Sequence, residues 1–148
     1  MIFNKKFLHS IEAVLDICIY SSNSPVHAKE ITKRQGIPSR YLEKILQELV
    51  RKQILKGIRG PNGGYTLGKE KRNIFLIDIY NAIIVIEENK NKKNIDTKIR
   101  SEIIDPFIKN IMSKIINSFK STSIDDLYNK IDELKIDVDK DKKIDFTI

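Results

Sequence analysis

Ile54-Leu55-Lys56-Gly57-Ile58-Arg59-Gly60-Pro61-Asn62-Gly63-Gly64-Tyr65-Thr66-Leu67 is the stretch that decides the fold. Two β-prone runs, residues 54–58 and 65–67, flank a loop holding three glycines, a proline and an asparagine. Glycine and asparagine supply the positive φ angles of tight turns, so these runs are expected to pair as a hairpin. Arg59 makes the tip of that hairpin basic.

Immediately upstream the apolar period changes to that of helices. Tyr41, Leu42, Ile45, Leu46, Leu49 and Val50 form one stripe, opened by Pro38 and Ser39, because proline loses nothing in a first helical turn. The opposite face carries Ser39, Arg40, Glu43, Lys44 and Gln47, side chains able to reach base edges and phosphates. A shorter helix over residues 27–35 precedes it, with Ala28, Ile31 and Thr32 inward and Gly36 suited to the left-handed residue that ends a helix. Helix, glycine turn, helix and basic-tipped hairpin together read as a winged helix-turn-helix. Ahead of these lies an amphipathic helix with Phe7, Leu8, Ile11, Val14, Leu15 and Cys18 on its apolar face and Glu12 and Asp16 between them.

Downstream, residues 76–86 are apolar enough for a largely buried helix, and residues 87–96 are rich in Asn and Lys and read as a loop. Asp105-Pro106 is expected to be an N-cap and first-turn proline. Behind it Phe107, Ile108, Ile111, Met112, Ile115, Ile116 and Phe119 make a stripe wider than one small domain can cover. Pairing with a second copy is the expected use of that face, with packing on its own domain the alternative. Ser123 and Asp126 form a capping-box pattern that starts a last helix, to about Leu134. The expected organisation is a DNA-binding domain over 1–86, a loop over 87–104, a dimerisation helix and short following helix over 105–134, and an acidic tail over 135–148. The fold class is mainly α with a small β-hairpin wing and a long C-terminal dimerisation helix.

Composition narrows the function. The chain has 148 residues, 41% hydrophobic and 32% charged, which suits one domain with a helical appendage. Residues 1–72 carry 14 basic and 6 acidic side chains, a net +8; residues 73–120 carry 8 and 6, and residues 121–148 carry 5 and 8. A genome rich in A and T raises Lys, Asn and Ile everywhere, but does not place the positive charge in the first half. A basic first half attracts nucleic acid by neutralising phosphates and releasing counterions. One cysteine and two histidines exclude a disulfide framework and a cysteine-rich zinc module. No apolar run reaches membrane-spanning length and no secretory leader is visible, so a cytoplasmic protein without membrane contact is expected. No phosphate-cradling loop with a lysine, nucleophile elbow or metal-ligand pair is found, which argues against an enzyme.

Lys33-Arg34-Gln35-Gly36-Ile37, Tyr41-Leu42-Glu43 and the run from Ile58 to Gly68 resemble the Rrf-two family of winged-helix transcription regulators. The resemblance is close over residues 1–86 and returns as a pattern over 105–134. It implies a homodimer on an approximately palindromic operator of double-stranded DNA, most often as a repressor. Carried onto this chain, Arg40, Tyr41, Glu43 and Lys44 are the candidate readers, with Ser39 beside them, and Arg59 and Asn62 belong to the wing. Tyr41 is expected to pack as well as to face DNA. A winged-helix module that binds another protein, with weak or non-specific DNA affinity, is the alternative.

The chain also departs from the family. Its sensor members hold an iron–sulfur cluster on three closely spaced cysteines before the dimer helix, and residues 87–98 contain none. Cys18, on an apolar face, is expected to be a buried, inert thiol. His9 and Asp105 fall near positions that add a ligand in some members, but neither makes a site without the thiols. The expectation is therefore a regulator with no cofactor and no metal. Its control would come from a regulatory protein, a small-molecule effector between the dimer helix and the DNA-binding domain, or abundance alone.

Overall fold

The computed structural model describes residues 2–84 and 97–138 of the chain. Helix α1 spans Lys5–Tyr20, α2 Ala28–Gln35 and α3 Ser39–Arg51. Strands β1 (Leu55–Ile58) and β2 (Gly64–Leu67) pair antiparallel, with Leu55 opposite Leu67 and Ile58 opposite Gly64. A 3-10 turn over Lys71–Asn73 leads to α4 (Leu76–Ile84), and α5 (Asp105–Ser121) and α6 (Ile124–Glu133) complete the described residues. The expected end of the fourth helix at 85–86, the loop over 87–96 and the tail beyond 138 lie outside them. No described helix is long and apolar enough to cross a membrane.

Each element begins and ends for a local reason. The Asn4 side chain accepts a hydrogen bond from the Phe7 N–H at 2.8 Å and so caps α1. Gly36 ends α2 at φ 69°, the left-handed residue expected there. Ser123 and Asp126 cap α6 reciprocally, at 3.1 Å and 2.8 Å. Asp126 therefore titrates below the ordinary aspartate range, held there by the Ser123 backbone N–H and then by its hydroxyl.

One continuous core holds these elements together. Phe7, Val14 and Ile17 of α1 meet Ile31 of α2 and Leu42, Ile45, Leu46 and Leu49 of α3, with Ile54, Leu55, Ile79, Phe119 and Ile124 closing the remaining sides. Helix α6 does not extend away with α5 but is tied back. The Leu76 N–H reaches the Thr122 carbonyl at 2.9 Å, and the Ile124 N–H reaches the Ile74 carbonyl at 2.8 Å. The last helix therefore belongs to the same body as the hairpin and α3.

Three expectations are corrected here. The inward face of α1 is Phe7, Ser10, Ala13, Val14 and Ile17; Leu8 is exposed, and Cys18 is half-buried rather than enclosed. Asp16 lies inside the protein, where the Arg34 guanidinium donates to both of its oxygens at 2.8 Å and Gln35 donates a third bond at 2.8 Å. Arg34 also lies 3.9 Å over the Tyr20 ring. Burial by itself would lower the Arg34 pKa, but the hydrogen bond and charge of Asp16 outweigh it and raise the value. A buried carboxylate survives only with such full pairing, so this group clamps α2 to α1.

The third correction concerns the start of the long helix. The chain is already helical at Lys98, and Asp105 is not an N-cap. Residues Arg100–Ile104 form a π-helical turn, closed by a bond from the Asp105 N–H to the Arg100 carbonyl. Pro106 follows at once. In an α-helix its ring would crowd the carbonyl four residues back and leave it without a donor, and the wider π turn relieves that conflict. The expected loop over 87–104 is thus helix across its last seven residues.

Candidate nucleic-acid interface

Helix α3 buries Leu42, Ile45, Leu46 and Leu49 against the core, which turns its opposite face outward. Ser39, Arg40, Glu43, Lys44 and Gln47 all stand exposed on that face. Among the described residues, Arg40, Glu43 and Lys44 have neither an ion pair nor a hydrogen bond of their side chains. The row is therefore available to an external partner. Tyr41 differs from its neighbours. It is half-buried, and its ring meets His9 of α1 edge to face, with centroids 5.8 Å apart. His9 in turn lies 2.8 Å from the Glu12 carboxylate through Nδ1. The structure thus places His9 against the outer helix α3, and Tyr41 has the packing role expected of it.

The hairpin is held at a set height beside α3. The Gly63 N–H bonds to the Gly60 carbonyl at 2.9 Å, and a Cβ at Gly63 would run into the carbonyl of Ile58. Gly64, at φ 146°, lets β2 approach the chain ahead of α2, where a Cβ would come within 2.5 Å of the Val26 carbonyl. There Val26 and Tyr65 exchange two backbone bonds of 2.9 Å and 2.8 Å. Arg59 and Asn62 are exposed at the free end of this hairpin, and Arg59 lines one groove together with Gln47 of α3's outer row.

The expected dimerisation residues separate into groups. Phe107, Ile108 and Ile111 are exposed. Met112 lines a cleft with Ile2, Phe7, Tyr80, Ile83 and Ile108, and Ile115 and Ile116 are half-buried against the core. Phe119 does not belong to an outward face at all. It is buried among Phe7, Tyr80 and Phe3, with centroids 5.2, 5.7 and 5.8 Å away. Ile99, Ile103 and Ile104, which the sequence reading did not include, extend the exposed face toward the helix start. Their spacing, at positions 99, 103, 107 and 111, continues the helical period of Phe107 and Ile111 and is the sequence signal that marks them.

A core-backed helix with a polar outer row, beside a glycine-shaped hairpin with an arginine at its tip, defines a winged helix-turn-helix protein. The model of the Rrf2 family, described as iron-dependent transcriptional regulator, matches residues 3–130. The chain belongs to that family. It is 34% identical over 83 residues to the HTH-type transcriptional regulator IscR of Xenorhabdus nematophila, covering 56% of this chain and 51% of that protein. It is 35% identical over 89 residues to the IscR of Vibrio vulnificus, covering 60% and 51%. The chain thus spans about half the length of these curated relatives. Its fold matches that of T. potens IscR with a TM-score of 0.74 at 24% identity, over 92% of each chain. It also matches CymR, the global cysteine regulator of B. subtilis, with a TM-score of 0.69 at 22% identity, over 86% of this chain and 96% of that one.

The family description names iron, and the donor set of this chain does not fit a thiolate-held cluster. The cluster that the resemblance implies for sensor members rests on three cysteines of one chain, and this sequence contains one, Cys18 on α1. Asp105 is engaged by Arg100 at 2.7 Å, and His9 faces Tyr41 and Glu12. No group of three His, Cys, Asp or Glu side chains that could hold a metal ion occurs among the described residues.

Proposed function

We propose that this protein is a cytoplasmic, sequence-specific DNA-binding transcription regulator. It acts as a homodimer on an approximately palindromic operator and represses, without an iron–sulfur cluster. The observation that carries this reading is the exposed row Arg40, Glu43 and Lys44 on α3, unpaired among the described residues, in a net-positive first half that also holds Arg59 of the hairpin. Helix α3 would enter the major groove, where Glu43 can accept from a cytosine amino group and Lys44 can donate to guanine or phosphate. Arg59 suits the narrow, electronegative minor groove of A·T-rich duplexes. The apolar start of the long helix, from Ile99 to Ile111, supports the second copy, because an exposed patch of this kind marks a protein partner. Without three cysteines for a cluster, control would come from a protein partner, a small effector or abundance alone.

Selection of bound duplexes from a random pool tests this directly. The expected product is one palindromic motif with half-sites about one helical turn or more apart. Arg59→Ala should weaken binding to all sequences, whereas Glu43→Ala should mainly relax preference at one position by about 1–3 kcal/mol. Recovery of no motif, with equal losses on operator and random DNA for both variants, would favour a protein-binding module instead.

A further inference from the structure

The groove between α3 and the hairpin is not accounted for by the base readers or by the wing tip. It is an open groove of about 580 Å³, lined by Gln47, Val50 and Arg51 of α3 and by Ile58, Arg59 and Tyr65 of the hairpin. Arg40, Lys44, Gln47 and Arg51 recur at i, i+4, i+7 and i+11, so they share one face of α3. At 1.5 Å per residue, Arg51 lies about 16 Å along the helix from Arg40. The row of readers therefore runs directly into this groove.

The geometry of a duplex says what belongs there. One sugar–phosphate strand separates each major groove from the neighbouring minor groove. A protein with a helix in one and a hairpin tip in the other must straddle that strand. We infer that the groove seats this strand, with Arg51 and Gln47 holding phosphate oxygens and Val50, Ile58 and Tyr65 against deoxyribose carbons. The inference rests on the DNA-binding reading above. Charge complementarity supports it, since Arg51 of α3 and Arg59 of the hairpin both line the groove, with Ile58 exposed beside Arg59.

Glu48 gives the site a built-in brake. Its carboxylate accepts from Arg51 at 2.7 Å and 3.1 Å, and both side chains are solvent-accessible. An exposed pair of this kind is weak and salt-sensitive, so a phosphate can take the guanidinium over. Glu48 then faces the phosphate as a like charge and lowers affinity.

Titration of an operator duplex and a random duplex across salt concentrations tests the assignment on the full chain. Arg51→Gln should weaken both complexes by about 3–10-fold near 0.1 M salt and make the salt slope shallower by about 0.9, the loss of one phosphate contact. Glu48→Gln should tighten both complexes by about 2–5-fold, a gain that misfolding cannot produce. Wild-type binding with an unchanged slope for Arg51→Gln would overturn the groove assignment and leave the regulator reading standing. Loss on the operator alone would also overturn it, since that pattern marks a base contact. If the wild type binds neither duplex, the regulator reading itself falls and takes this inference with it.

Discussion

Phe107 and Phe119 are the same side chain on the same helix, twelve residues and about 18 Å apart, yet they are 61% and 5% exposed. Around Phe119, α5 lies on α1 and α4, and its ring completes a cluster with Phe7 and Tyr80. Around Phe107, with Ile103 and Ile108, the same apolar stripe faces outward beyond the edge of the core. Apolar periodicity therefore reports that a helix face is buried, but not by what. The end of the stripe is claimed by the chain's own domain, and its beginning stands exposed, where the proposed second copy would cover it.

The largest expected effect is at the claimed end. Phe119→Ala should destabilise the folded chain by about 3–5 kcal/mol in urea unfolding, by opening a cavity among Phe3, Phe7 and Tyr80. Phe107→Glu should leave unfolding of the monomer nearly unchanged and raise the dimer dissociation constant about 30-fold or more in sedimentation equilibrium. Equal unfolding losses for the two variants would erase the contrast between the ends of α5. Ser123→Ala should cost about 1 kcal/mol, because α6 loses its cap just beyond the claimed end. Asp126 sharpens that test through pH. Its folded-state pKa is depressed, so its contribution is present above the ordinary aspartate value and disappears as pH falls through the lowered one. Urea midpoints measured from pH 6 down to pH 2.5 should fall more for the wild type than for Asp126→Asn. The smallest effect belongs to the free end. Arg100→Ala removes an exposed pair with Asp105 and should change stability by less than about 0.5 kcal/mol.

The hairpin and α3 were legible because their signals are local. Gly60, Gly63 and Gly64 supply the backbone freedom a tight turn needs, and the stripe from Leu42 to Leu49 has one period and starts just after Pro38. The Asp16–Arg34 clamp was not legible, because its partners stand 18 residues apart and a lone carboxylate on a helix reads as solvated. Asp105-Pro106 misled for a different reason. A proline fits the first turn of a helix, but it fits equally well behind a π turn, and the bond from Asp105 to Arg100 decides between them. The outer row of α3 could be read as a row, whereas the seat beside Arg51 needed the hairpin's position before it existed at all.

The two backbone bonds between Val26 and Tyr65 set how far the hairpin stands from α3. They work like the locked jaw of a caliper. The gap is fixed by main-chain atoms, together with a residue that has no Cβ at position 64. Exposed side chains on either jaw, such as Glu43 and Arg59, can therefore change without moving that gap. On the proposed DNA-binding reading, new specificities can then arise on this scaffold while the width of what it grips stays constant.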